Sequence, residues 1–200
     1  MNTFKLETPC IIKQLKDHTK IKHTLISLIK NTKADYLESK NKYYGDLIHR
    51  LDWNSSKDYS REWVKFVQPF LQKHFNNCAI KLGYQTAITT NIWFQQYNKN
   101  GEHGWHTHSE NYTGVYYVKF SNKAAKTELI DPFSQNKKIV INAKEGDIVI
   151  FPSYVIHRAT KQKDNSEKII ISFNFNFNLI NPSIFKKIDN LKGINTDEYI

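Results

Sequence analysis

The sequence predicts an α+β, mainly β fold: an N-terminal layer of helices, a β core, and a short C-terminal helix. Three observations carry this. Apolar residues recur at helical spacing before residue 80, alternate with polar ones from residue 84, and return to helical spacing after Asn181. With 200 residues, 40% hydrophobic and 14% aromatic, the chain can bury a real core and is too apolar for disorder. The expected organisation is one domain over 1–200: a mainly helical buttress at 1–80, a β core at 84–180 and a docking tail at 181–200.

Taken in order, Ile21, Leu25, Leu28 and Ile29 fall at i, i+4, i+7 and i+8, one face of a helix. A second helix covers about Arg61 to Phe75, with Trp63, Phe66, Val67, Phe70 and Leu71 on one stripe. Pro69 lies inside that stripe and should kink or split it. From Tyr84 the texture is strand. Trp93, Gln95 and Tyr97 alternate with Ile92, Phe94 and Gln96, and Thr113–Lys119 is β-rich. Gly146-Asp147 marks a turn before Ile148–Phe151. The clearest strand is Lys168–Asn178. Ile169, Ile171, Phe173, Phe175 and Phe177 fill one face, and Lys168, Ser172, Asn174, Asn176 and Asn178 the other, interrupted by Ile170. In a closed or sandwiched sheet, such a polar face lines a cavity while the apolar face packs on helices. In the tail Asn181 caps, Pro182 takes the first turn, Ile184, Phe185, Ile188 and Leu191 form a stripe, and Gly193 ends it.

Composition narrows the function classes. No run of eighteen apolar residues exists, which argues against a membrane-spanning helix, and Met1–Lys5 does not open a secretion signal. Cys10 and Cys78 belong to no paired motif, so a reducing, cytoplasmic setting is expected. The net charge is +10, but the lysines are scattered in ones and twos. That pattern reads as solvated surface charge, with a nucleic acid or other anionic partner as the lesser reading.

Chemistry concentrates in Gly104-Trp-His106-Thr-His108-Ser-Glu110, answered some fifty residues later by Phe151-Pro-Ser-Tyr-Val-Ile-His157. In an extended strand, residues i, i+2 and i+4 share a face, so His106, His108 and Glu110 would converge. Two ligands close in sequence and one remote, with positions left open, suit a non-haem iron(II) that binds oxygen. Zinc would also accept such donors. His103 is out of phase and is read as loop or rim. Trp93, Gln95 and Trp105 are read as pocket wall or core.

The ordered segments Tyr97…Gly101, Trp105-His106-Thr-His108, Gly114-Val-Tyr-Tyr-Val118, Glu145-Gly-Asp147…Phe151-Pro-Ser153…His157 and Lys168-Ile-Ile-Ile-Ser-Phe-Asn174 fall within a matching region of roughly residues 91–178. In order and spacing they resemble the iron(II)/2-oxoglutarate oxygenases, in their prolyl-4-hydroxylase-like branch. The nearest group is the oxygenases common in phages and marine bacteria, which implies a viral or bacterial source. The resemblance implies a double-stranded β-helix (jelly roll) with helical buttresses, and iron(II), 2-oxoglutarate and O₂ as cofactors, with ascorbate as a stimulant. It implies a hydroxylase that oxidises a C–H bond and releases succinate and CO₂. The family carries His-x-Asp or His-x-Glu before its distant His, and alignment from Tyr97 puts His108 where the carboxylate is expected. His106, His108 and His157 are therefore the preferred metal and catalytic set. The set His108, Glu110 and His157 stays open, with Glu110 otherwise accepting a ring N–H from outside the ligand set.

For 2-oxoglutarate the resemblance implies a cation on the strand after His157. Lys168 lies eleven residues on, with Arg158 the runner-up. Tyr117 matches an assisting position, Tyr97 is a candidate for the keto-acid end, and Ser172 and Asn174 share the face of Lys168 and are candidates to touch cosubstrate or substrate. The substrate is open between a peptide (peptidyl proline above all), a nucleotide and a small molecule. Two rival readings remain. One is a three-histidine, 2-oxoglutarate-independent dioxygenase or cupin-like metal-binding module. The other is a non-catalytic, polyanion-binding protein.

Overall fold

A computed structural model gives the structure of residues 7–189. Leu191 and Gly193 of the tail stripe lie outside the described residues. Eleven strands form one antiparallel sheet. Its order is β1 (Ile11–Gln14), β9 (Asp147–Pro152), β6 (Tyr112–Lys119), β11 (Lys168–Ile180), β4 (Tyr84–Tyr97), β3 (Asp46–Leu51), β5 (Glu102–His106), β10 (His157–Ala159), β7 (Thr127–Ile130) and β8 (Lys138–Val140), with β2 (Asp35–Ser39) beside β3. The sheet curls on itself. Val115, Phe151 and Ile170 from its first half and Ile48, Leu129 and Ala159 from its second bury in one interior cluster. This is the jelly-roll core that the resemblance implies.

The other face of the sheet carries the helices. In α1 (His18–Asn31), Ile21, Leu25 and Ile29 are buried and Leu28 packs at the edge. In α2 (Glu62–Lys81), Trp63, Val67, Leu71 and Phe75 are buried, with Phe66 and Phe70 alongside. α2 meets the apolar face of β11, where the Phe75 ring lies 4.4 Å from Phe173 and 5.3 Å from Phe175, and α1 packs against α2 and β6. Asp52 fixes the start of α2 to the sheet. It accepts from Arg61, from Trp63 Nε1 at 2.9 Å and from the Phe94 amide at 2.8 Å.

One expectation is corrected and another is extended. Pro69 neither splits nor ends α2, which runs on to Lys81. Pro69 and Lys65, whose carbonyl loses its partner, are both exposed, so water can satisfy the freed oxygen. The first eighty residues are also not simply a helical layer. They contribute β1, β2 and β3, and β3 bridges β4 and β5 inside the core sheet. In the tail, α3 (Ser183–Asp189) seats Ile184 over Gly83, where an added Cβ would lie 2.3 Å from Ile184 Cδ1, while Phe185 stays exposed.

Candidate metal centre

Strand pairing brings the distant histidine home. On the β10–β5 ladder His157 stands directly opposite His106. The strand ends at His106, and the next residues are tied across to the β9–β10 turn. The His108 amide donates to Ser153 O at 3.0 Å, and the Ser153 amide to Asn111 O at 3.1 Å. One nitrogen from each of His106, His108 and His157 lies within 4.8 Å of the other two, so one small cation can meet all three.

Glu110 is not part of this cluster. The alternation that would have aligned it stops with β5, and the residues after His106 follow the turn instead. Its carboxylate sits at 3.4 Å from Thr90 Oγ1 and from Ser109 Oγ, on a neighbouring cavity of about 540 Å³ shared with Lys57, His108 and Asn174.

The hydrogen bonds and the electrostatics both suit metal ligation. His106 Nδ1 lies 2.8 Å from Gly104 O and His157 Nδ1 lies 2.9 Å from Val155 O. A carbonyl can only accept, so each Nδ1 carries the proton and each Nε2 keeps its lone pair. Burial pushes the pKa of His106 down, that of His108 down to about 4, and that of His157 well down. The rings are therefore neutral donors at physiological pH. With no carboxylate in the set, a divalent ion here would keep its full double charge.

His103 is a correction of another kind. It lies in β5, not at a rim, and its ring stacks on His106 with centroids 3.9 Å apart. Residues three apart in a regular strand face opposite ways. Here His157 and Ala159 pair with His106 and His103, so β5 carries one extra residue and the parity is reset. His103 Nδ1 lies 3.3 Å from Gln95 Nε2, and Nε2 lies 3.6 Å from Asp46 Oδ1.

The three histidines open on a narrow interior cavity with about 20 Å³ of free volume, lined by Trp93, Gln95, Tyr97, Thr127, Ile170 and Ser172 among others. Gln95 is a wall residue whose Oε1 accepts from Ser172 Oγ at 3.1 Å. The Tyr97 hydroxyl is buried with no hydrogen-bond partner. Lys168 lies behind Tyr97, only 1% exposed, with Nζ 5.1 Å from the centre of the Tyr97 ring. Its ammonium donates to Ala125 O at 2.7 Å, and no carboxylate lies within 4.0 Å among the described residues. Burial alone brings its pKa down to about 7. Tyr117, fully buried, is bonded through its hydroxyl to Thr127 Oγ1 at 2.8 Å. Arg158 is already engaged, forked onto Glu128 at 2.9 and 2.6 Å and lying 4.4 Å from the Trp105 ring centre. A second, apolar cavity of about 270 Å³ reaches His106 and His108 from outside between Leu37, Ile48, Leu51, Trp53 and Trp93.

The site is thus a jelly roll holding three converging imidazoles, two half-buried and one buried, with a buried lysine behind the cavity wall. Residues 91–174 match the family model described as "Putative 2OG-Fe(II) oxygenase". Over that stretch the chain is similar to the iron(II)/2-oxoglutarate oxygenases, a family whose cofactors are iron(II) and 2-oxoglutarate with O₂. No curated protein matches the sequence. Among solved structures, an oxidoreductase of the 2OG-Fe(II) oxygenase family from Burkholderia pseudomallei is similar with TM-score 0.68 and 7% identity, covering 86% of this chain and 87% of that one. A Pseudomonas putida prolyl-4-hydroxylase gives 0.58 and 12%, covering 84% and 92%. A Trichoplax adhaerens prolyl hydroxylase in complex with a hypoxia inducible factor peptide fragment gives 0.60 and 16%, covering 92% and 87%. At such identities the likeness concerns the fold. Among the described residues no helix is long and apolar enough to cross a membrane.

Proposed function

We propose that this protein is an iron(II)- and 2-oxoglutarate-dependent dioxygenase that hydroxylates a C–H bond, with His106, His108 and His157 holding the metal. The observation that carries this reading is the histidine cluster opening on a cavity walled by Tyr97, with the buried Lys168 ammonium directly behind that ring. A buried ammonium without a carboxylate costs several kcal/mol unless an anion arrives to meet it. A dicarboxylate cosubstrate with one end near the histidines is such an anion. A 2-oxoglutarate-independent three-histidine dioxygenase has no use for that cation.

Iron with 2-oxoglutarate and O₂ supplies the oxidising chemistry, yielding succinate, CO₂ and a hydroxylated product. The protein's own part is narrower. Gly104 O and Val155 O fix the rings of His106 and His157 so that each presents Nε2. Lys168 Nζ takes the distal carboxylate as a point donor, and the Tyr97 hydroxyl, unpartnered in the free protein, gains a partner from the same ligand. Tyr117 is committed to Thr127 and acts by holding that wall. With about 20 Å³ free, the cavity must open by movement of side chains such as Gln95 or Tyr97 as the diacid binds. The apolar cavity at Trp53 and Trp93 suits an aliphatic group carrying the reacting C–H. A peptidyl proline is the substrate to test first, since similar folds include prolyl hydroxylases.

The test is turnover. Purified protein reconstituted with iron(II) and ascorbate should convert 2-oxoglutarate to succinate, faster when a proline-containing peptide library is added. Absence of both 2-oxoglutarate binding and succinate formation under every condition would contradict the proposal.

A further inference from the structure

His106 and His157 are each oriented by a backbone carbonyl, but His108 has no such partner. Its Nδ1 faces only the Asn174 amide, with Nδ2 at 3.5 Å, the outer limit of a hydrogen bond. As the amide stands, two groups are mismatched. Nδ2 would donate to Nδ1, which forces the ring proton onto Nε2 and removes the lone pair that points to the metal. Asn174 Oδ1 meanwhile is buried with no partner at all. A half-turn of the amide resolves both, because the oxygen then faces Nδ1 and accepts its proton.

The backbone at Asn174 is built for placement. The β11–β4 register shifts between Asn174 and Phe175: Asn174 pairs with Asn91 and Phe175 with Thr89, leaving Thr90 as an extra residue. Such a bulge re-aims neighbouring side chains. The Thr90 hydroxyl closes it by donating to Asn174 O at 3.2 Å. Two residues on, Asn176 Oδ1 accepts from the Asn111 amide at 2.9 Å and ties the His108 loop to the same strand.

We propose that Asn174 is a positioning residue for His108: its side-chain carbonyl accepts the Nδ1 proton and leaves Nε2 free for the metal. This rests on the ligand set proposed above and adds to it the part that sets the geometry of the third ligand.

The first test needs no metal. Nitrogen-15 NMR of the imidazoles in the metal-free protein, assigned with His108→Ala, should show His108 protonated on Nδ1; protonation on Nε2 overturns the proposal. The second test measures cobalt(II) affinity and the cobalt absorption spectrum. Asn174→Leu should weaken binding by about 10- to 100-fold, while Asn174→Asp, an acceptor of the same shape, should stay within about threefold of wild type. Cobalt binding by Asn174→Leu that equals wild type in affinity and spectrum overturns the proposal. If wild type itself binds no cobalt, the ligand set fails instead, and the NMR result still judges Asn174 separately.

Discussion

Along β11, Phe173 on the outer face meets the Phe75 ring at 4.4 Å and is fully buried among aromatic neighbours. On the inner face of the same strand, Lys168 has a buried ammonium with one carbonyl, and its β4 pair Tyr97 has a buried hydroxyl with no partner. Both faces are equally dry, so burial does not separate them. They differ in completion. On the outer face Ile169, Ile171, Phe173 and Phe175 bury no polar side-chain group and serve stability, whereas the inner face leaves polar groups waiting, a cost a protein carries where a ligand will complete the set.

Substitutions on the two faces should therefore have opposite signatures. At the inner end, His157→Ala should lower iron(II) or cobalt(II) affinity by more than about 100-fold, since outer partners of ligands alone cost about 10- to 100-fold; metal content after anaerobic reconstitution checks it. On the outer face, Phe173→Ala should destabilise the fold by about 3–5 kcal/mol in denaturant titration, with metal affinity of the folded fraction unchanged. Lys168→Met should do the reverse. Replacing the unpaired cation should stabilise the metal-free protein by about 1 kcal/mol. It should also weaken 2-oxoglutarate by about 10- to 100-fold, the loss of a charged hydrogen bond worth about 1.5–3 kcal/mol. A Lys168→Met protein that is both less stable and undiminished in binding would erase the contrast.

The smallest effect concerns pH. Burial holds Lys168 in the free protein at a pKa of about 7, against 10.5 for an ordinary lysine. Its folded value is depressed, so the unfolded chain binds more protons between these limits, and stability of the metal-free protein should rise with pH from about 7 toward 10. An incoming carboxylate raises the pKa again, so binding takes up a proton above pH 7. The 2-oxoglutarate affinity should be flat below pH 7 and fall by up to about tenfold per unit above it. Calorimetric titrations between pH 6 and 9 check the slope.

The same contrast explains what was legible in the sequence. Side chains alternate along β11, with Ile169, Ile171 and Phe173 in the outer core and Ile170 in the inner one, so both of its faces could be read from the chain. The histidine pair and its distant partner were legible because register, not long-range luck, sets His157 against His106. Irregularities hid the rest. The extra residue in β5 turned His103 inward, and the end of that strand took Glu110 out of the cluster. β2 is exposed along its whole length and β3 buries every third residue, so neither shows the alternation that marks a strand. Pro69 looked like a break because sequence does not reveal that the carbonyl it orphans faces water.

The central claim is that Lys168 waits, unpaired, for the anion that also reaches the metal. Anaerobic titration of 2-oxoglutarate into the iron(II)-loaded protein, followed by its visible charge-transfer absorption, tests this most directly. Wild type should saturate at one equivalent, and Lys168→Met with equal iron content should require about 10- to 100-fold more ligand. Equal saturation by both proteins, or no absorption from iron-loaded wild type, would contradict the account.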